Sequence, residues 1–177
     1  MANYKRIFQQ GHPYFITIVT HYRNPILIDN IDLLRESFRQ AKLRYTFSIE
    51  AIVILPDHLH MIILPSDAYQ YPMIIKQLKV YFSRHCPPQY YQHIQQSASR
   101  SQKGYKPIWQ KRYYEHTLRD EQDYRTHFDY IHYNPVKHQL VRRTKDWQYS
   151  SFHNYIKKGW YDENWGDCSN DIDCKGE

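Results

Sequence analysis

Two short stretches of the chain carry residue types that can do phosphate chemistry. The first is Pro56-Asp57-His58-Leu59-His60. In an extended stretch successive side chains point to opposite faces, so His58 and His60 project together while Leu59 turns away. Two adjacent imidazoles can share one divalent ion, although a lone His-x-His pair is more often two histidines packed or solvated on a sheet face. The second stretch is Asp129-Tyr130-Ile131-His132-Tyr133-Asn134-Pro135-Val136-Lys137. On a helix, residues four apart are neighbours, which places Tyr130 and Asn134 on one face with His127 a turn earlier. With 18 tyrosines in the chain, a helical tyrosine that merely packs its ring is the commoner case.

The two stretches gain meaning together. Metal-assisted phosphoryl transfer needs an ion on the phosphate oxygens and a nucleophile placed for in-line attack. A tyrosine hydroxyl suits a reversible cut, because its phosphodiester keeps the bond energy of the broken strand. Asn134 can supply a neutral carbonyl oxygen as third ligand beside His58 and His60. With no carboxylate in that set the site keeps its positive charge toward a phosphate, and Mg²⁺ or Mn²⁺ is the expected cofactor; imidazoles also admit zinc.

The elements that must position these groups are legible in the hydrophobic periods. Tyr14 to Thr20 is β-branched and aromatic and reads as the first strand. Ile31, Leu34, Phe38 and Ala41 recur at helical spacing, with Asp29 or Asn30 as cap. Thr46 to Leu55 and His58 to Leu64 read as a hairpin at the centre of a sheet, joined at Pro56-Asp57. Ile74, Ile75, Leu78 and Phe82 mark a second helix that Pro87-Pro88 stops; Lys76, Lys79 and Arg84 make its outer side basic. Gln89 to Lys106 reads as a long loop or flap. Lys106 to Leu118 reads as another strand, and Asp120 opens a helix that ends or kinks near Asn134, before Pro135. The order implies an α+β fold, a ferredoxin-like or RRM-like antiparallel sheet with helices packed on it.

The chain has 177 residues, enough for one domain; residues 1–161 are expected to form it, with 162–177 as an acidic, flexible tail. A net charge of +6 and an aromatic content of 16% favour nucleic acid over a membrane as partner. No stretch approaches the roughly 20 apolar residues of a membrane span, and the start lacks a signal-like apolar core, so a cytoplasmic protein is expected. Cys86, Cys168 and Cys174 suggest neither a disulfide framework nor a CxxC metal site.

Four segments, GHPYFITIVT, AIVILPDHLHMIILP, WQKRYYEHTLRDEQDYRTHFDYIHYNPVKH and WQYSSFHNY, resemble the REP-associated tyrosine transposases, within the single-tyrosine HUH transposases. The likeness runs from about Tyr4 to Trp165. It implies a ferredoxin-like domain in which His58 and His60 match the metal pair, Asn134 completes the metal site, and Tyr130 is the nucleophile that becomes linked to the DNA 5′ phosphate. It also implies single-stranded DNA substrates with hairpins beside a short recognition tetranucleotide, here REP-like elements, handled by a monomer or a homodimer. Asn3, Tyr4, Lys5 and Arg6 are expected to help read that tetranucleotide. One departure stands out: the family pattern carries glycine after the Lys-His of NPVKH, where this chain has Gln139. If that backbone is left-handed, glutamine costs on the order of 1 kcal/mol there.

Basic residues flank the two stretches: Arg100, Lys103, Lys106, Lys111 and Arg112, then Lys137, Arg142, Arg143 and Lys145. They are candidates for strand binding, with Trp109, Tyr113 and Tyr114 as stacking rings, core packing being an equal alternative for Trp109. His116 and His127 are candidates for orienting a metal histidine from behind. Two other functions fit the same residues. One is a binding-only, RRM-like module; the other is a metallohydrolase that activates water and has no use for Tyr130.

Overall fold

A computed structural model describes residues 7–167. Asn3, Tyr4, Lys5, Arg6, Cys168 and Cys174 lie outside the described residues. Four strands, β1 (Tyr14–Val19), β2 (Phe47–Ile54), β3 (His58–Pro65) and β4 (Tyr114–Thr117), form one antiparallel sheet in the order β2-β3-β1-β4. With α1 (Ile31–Lys42) after β1 and α2 (Tyr71–His85) after β3, this is the ferredoxin-like arrangement. The hairpin of β2 and β3 therefore supplies one edge strand and one central strand; the centre of the sheet is β3 against β1.

Alternation along the strands divides the core into two layers. Ile16, Ile18, Leu59, Met61 and Ile63 face α1 and α2, where they meet Leu34, Phe38, Ala41, Ile74, Ile75, Leu78 and Phe82. Phe15, Ala51, Val53 and Ile62 face the other way, onto Phe128 and Ile131 of α4 (Glu121–Lys137) and Tyr155 of α5 (Phe152–Lys157). A bulge between Ile49 and Ala51 lets β2 serve both layers: Phe47 and Ile49 belong to the first layer, and past the bulge Ala51 and Val53 belong to the second. The sheet face that an RRM leaves bare for stacking is thus covered by α4.

Several boundaries differ from the sequence expectation. The last strand covers only Tyr114–Thr117, because Lys106-Pro107 and the polar Gln110 to Arg112 run as loop, meeting the end of β1 through an isolated bridge of Thr20 with Trp109 and through Gln110 N–H donating to Val19 O at 3.0 Å. Within the long loop, α3 (Ala98–Gln102) makes one short helix. The helix carrying Tyr130 does not end at Asn134: it passes through Pro135 to Lys137. Proline forfeits one backbone bond, but Pro135 and Val136 are buried, and His138 N–H closes the turn on Asn134 O at 3.0 Å. Beyond α5, Trp165 packs on Tyr161 (ring centroids 4.5 Å) and Phe152 (5.8 Å), so residues 162–167 of the acidic segment dock on the second layer. Among the described residues no helix is long and apolar enough to cross a membrane.

Gln139 is left-handed, with φ +57°, as the glycine of the related pattern suggested. Gln139→Gly should therefore stabilise the fold by about 0.5–1 kcal/mol, the steric relief being partly offset by glycine's freer unfolded state. Urea unfolding checks this, and an equal or lower stability would show that the turn tolerates glutamine without strain.

Candidate active site

His58 and His60 both stand on the α4 face of β3 and are almost fully buried, with ring centroids 4.9 Å apart. Each has its Nδ1 fixed by a neighbour. His58 Nδ1 lies 2.6 Å from Asp57 Oδ1, and Asp57 is itself held by Arg23 at 3.1 Å. His60 Nδ1 lies 2.7 Å from the hydroxyl of Thr17, its cross-strand partner on β1. A proton on each Nδ1 leaves both Nε2 lone pairs bare, the arrangement of ligating histidines supported by outer partners. His60 Nε2 is buried with no hydrogen-bond partner. Burial, with His58 adding to it, pushes the His60 imidazole down to about 3, so it stays neutral and able to ligate.

The Asp57 carboxyl behaves oppositely. Burial raises it, but hydrogen bonds and charge from His58 and Arg23 outweigh that and hold it below the usual carboxylate range. Its backbone is pinned too: Asp57 O accepts from Thr20 N–H at 2.9 Å and the Thr20 hydroxyl at 2.8 Å. Tyr22 and Arg23 both adopt left-handed φ, of 52° and 53°. That local strain, about 1–2 kcal/mol per residue, sits where it aims Arg23 at Asp57.

From α4, Tyr130 reaches the same place, and Asn134 follows it one turn along the helix. The Tyr130 ring is half-buried, 5.2 Å from His60 and 6.0 Å from Phe15, with Lys137 Nζ 4.9 Å over it. Asn134 is fully buried, and neither Oδ1 nor Nδ2 has a hydrogen-bond partner. A buried unpaired carboxamide costs about 1–3 kcal/mol, which a ligated ion would offset. Two imidazole nitrogens and an amide oxygen fit a divalent cation facing phosphate, so His58, His60 and Asn134 are the residues that could hold one.

The expected outer partners are placed differently. His116 and His127 contact neither His58 nor His60 by hydrogen bond; both pair with Asp123, and the groups behind His58 and His60 are Asp57 and Thr17. Asp57 could have been suspected from its adjacency to His58, whereas Thr17 needs the strand register. His138 was also missed: one helical turn past Asn134, its ring lies 5.1 Å from that of His58. Burial, then the nearby His58, lowers its imidazole from the ordinary range.

The first basic cluster gathers. Arg100, Lys103, Lys106 and Lys111 line one cavity of about 800 Å³ with Lys79 and Arg84, and no carboxylate is among its lining residues. Arg112 is not among them. Lys79 donates to Gln110 O at 2.7 Å, and burial, with Arg100 adding to it, pushes its ammonium down to about 8. In the second cluster Arg143 is paired with Asp146 at 2.9 Å and Lys145 with Glu163 at 3.4 Å, while Arg142 is exposed. Trp109 is not a stacking platform: it is buried against Phe82, ring centroids 5.1 Å apart. Tyr114 is exposed.

Comparison with known proteins fits this geometry. The pattern of the family described as "Transposase IS200 like" matches residues 9–134, from before β1 through Asn134. A Haemophilus influenzae protein provisionally named a REP-associated tyrosine transposase is 41% identical over 179 residues, covering 100% of this chain and 99% of its own. The chain belongs to the IS200-like transposases, in their REP-associated tyrosine branch. An Escherichia coli K12 REP-associated tyrosine transposase is 33% identical over 93% of this chain and 91% of its own. A solved REP-associated tyrosine transposase bound to a REP hairpin superimposes with a TM-score of 0.79 at 31% identity, covering 100% of this chain and 98% of that one.

The buried histidines of this transposase make its stability depend on pH. His60 and His132 each sit at about 3, mainly through burial, against 6.5 when free. Because the folded values are depressed, the unfolded chain binds more protons between them. The stability is fully present above about 6.5 and is lost as pH falls toward about 3, by about 1.4 kcal/mol per pH unit for each histidine. Unfolding of the metal-free protein across pH 7 to 4 should show this slope, reduced by one proton in His132→Leu; a flat profile would contradict it.

Proposed function

We propose that the chain cuts and rejoins single-stranded DNA beside REP-type hairpins, through a phosphodiester between Tyr130 and the 5′ phosphate of the cut strand. One observation carries the reading: two buried ligand groups without partners, His60 Nε2 and the Asn134 carboxamide, occur beside a half-buried tyrosine ring. The names of the relatives and the hairpin bound by the solved relative support the substrate class. The basic cavity of about 800 Å³ supports a polyanion.

Mg²⁺ or Mn²⁺ held by His58, His60 and Asn134 would supply positive charge to the non-bridging oxygens of the scissile phosphate. Tyr130 gives up its proton to solvent, and its oxygen bonds to phosphorus as the P–O3′ bond breaks. The departing 3′ oxygen takes up a proton and leaves as a hydroxyl. Attack by a 3′ hydroxyl reverses both steps, so the number of phosphodiester bonds is conserved and rejoining needs no nucleoside triphosphate. Lys137, its Nζ 4.9 Å over the Tyr130 ring, brings a positive charge beside the nucleophile. Asp57 and Thr17 hold the two imidazoles in the tautomer that presents Nε2. Tyr124, on the same helix, is a poorer nucleophile, because burial and then Glu50 push its hydroxyl up to about 12.

Incubation with labelled single-stranded hairpin DNA and Mn²⁺ should give a protein-DNA band that survives denaturation. The band should disappear in Tyr130→Phe and in His58→Ala. Cleavage that persists in Tyr130→Phe would establish a water-activating hydrolase instead. Tight binding with no cleavage by the unaltered protein would establish a binding-only module.

A further inference from the structure

Away from the proposed catalytic residues, three side chains from two elements converge. His116 is on β4, and Asp123 and His127 are on the first two turns of α4, four residues apart. His116 Nε2 lies 2.9 Å from Asp123 Oδ2 and His127 Nδ1 lies 3.0 Å from Asp123 Oδ1. One ligand atom from each residue falls within 4.8 Å of the other two. The imidazoles are stacked, centroids 4.9 Å apart and planes inclined by 24°, so both present a nitrogen to the same carboxylate.

We propose that His116, Asp123 and His127 form a second divalent-metal site, suited to a transition metal, that clamps α4 to β4. Two imidazoles and one carboxylate are the donor set of open zinc sites, and they favour Zn²⁺ or Co²⁺ over the oxygen-seeking Mg²⁺. Around a tetrahedral ion with bonds of about 2.1 Å, ligand atoms stand roughly 3.4 Å apart. Asp123 Oδ1 lies 3.0 Å from both His116 Nε2 and His127 Nδ1, so these two separations need to open by about 0.4 Å, a side-chain adjustment. Ligation moves the ring proton of each neutral histidine to its other nitrogen. The side chains are 29%, 21% and 23% exposed, which leaves an approach from solvent and room for a water ligand.

The site shares no residue with His58, His60 and Asn134. The Phe15 ring touches both groups, 4.7 Å from His127, 5.5 Å from His60 and 6.0 Å from Tyr130. An ion here fastens the start of the helix that carries Tyr130 to a four-residue strand whose sheet partner is β1. Asp123 is already an anion in this setting. Burial raises its carboxyl, but hydrogen bonds from His116 and from Arg119 N–H outweigh that and hold it below the usual range.

Titration of metal-stripped full-length protein with Co²⁺ tests the proposal, read by bound equivalents and by melting temperature. The His58→Ala/His60→Ala variant should still bind one equivalent of Co²⁺ and melt higher with it. The His116→Ala/His127→Ala variant should bind one equivalent fewer than the unaltered protein. Asp123→Asn should lose the same equivalent while keeping acceptor oxygen for Arg119 N–H, which guards against misfolding of the double variant. The proposal is overturned if His58→Ala/His60→Ala binds no Co²⁺, or if Asp123→Asn binds as much as the unaltered protein.

Discussion

The structure turns on the burial of polar groups between one face of a sheet and one helix. His58 and His60 occupy positions on β3 where alternation alone would place core residues, and Ile62 continues the same row. Asn134 occupies the corresponding position on the buried stripe of α4, behind Phe128 and Ile131. Leaving His60 Nε2 and the Asn134 carboxamide dry and unpaired costs about 1–3 kcal/mol each, a large fraction of a marginal stability. The apolar contacts of Phe15, Val53, Ile62, Phe128 and Ile131 must outweigh that cost while keeping the polar atoms together.

Seen this way, several local oddities share one cause. The Pro56-Asp57 turn is tied to Thr20 because its aspartate orients His58. Left-handed Tyr22 and Arg23 bring a cation to the same aspartate. The last turn of α4 persists through Pro135, which keeps Asn134 inside a helix rather than at its frayed end and places Lys137 and His138 beside Tyr130 and His58. Burial that would otherwise be a liability sets the protonation: a neutral His60 is able to ligate, whereas a charged one would repel a cation.

Much of this was legible from residue order. The period of β3 predicts that His58 and His60 share a face, and the spacing of Tyr130 and Asn134 predicts a shared helix face. The family pattern around NPVKH pointed to a left-handed Gln139, which is found. What could not be read depends on pairing between distant segments. Thr17 meets His60 only through the register of β1 with β3, and Lys79 joins Arg100 and Lys103 only through the fold of the long loop. His116 and His127, expected behind a metal histidine, pair instead with Asp123 for the same reason: which residues β4 brings against α4 is a tertiary fact. Local propensity also misjudged Pro135, where packing outweighs one lost hydrogen bond; between stacking and core packing for Trp109 it did not choose, and the ring completes the core under α2.

The central claim is that α4 delivers its buried carboxamide to an ion held by the two histidines of β3. It is tested most directly by the affinity of the metal-free protein for Mn²⁺, measured from the free-ion electron paramagnetic resonance signal, in the unaltered chain and in Asn134→Leu. The account predicts affinity weaker by at least about tenfold in Asn134→Leu, since losing a ligand should cost no less than losing an outer partner. An Asn134→Leu protein that binds Mn²⁺ as tightly as the unaltered chain would contradict it.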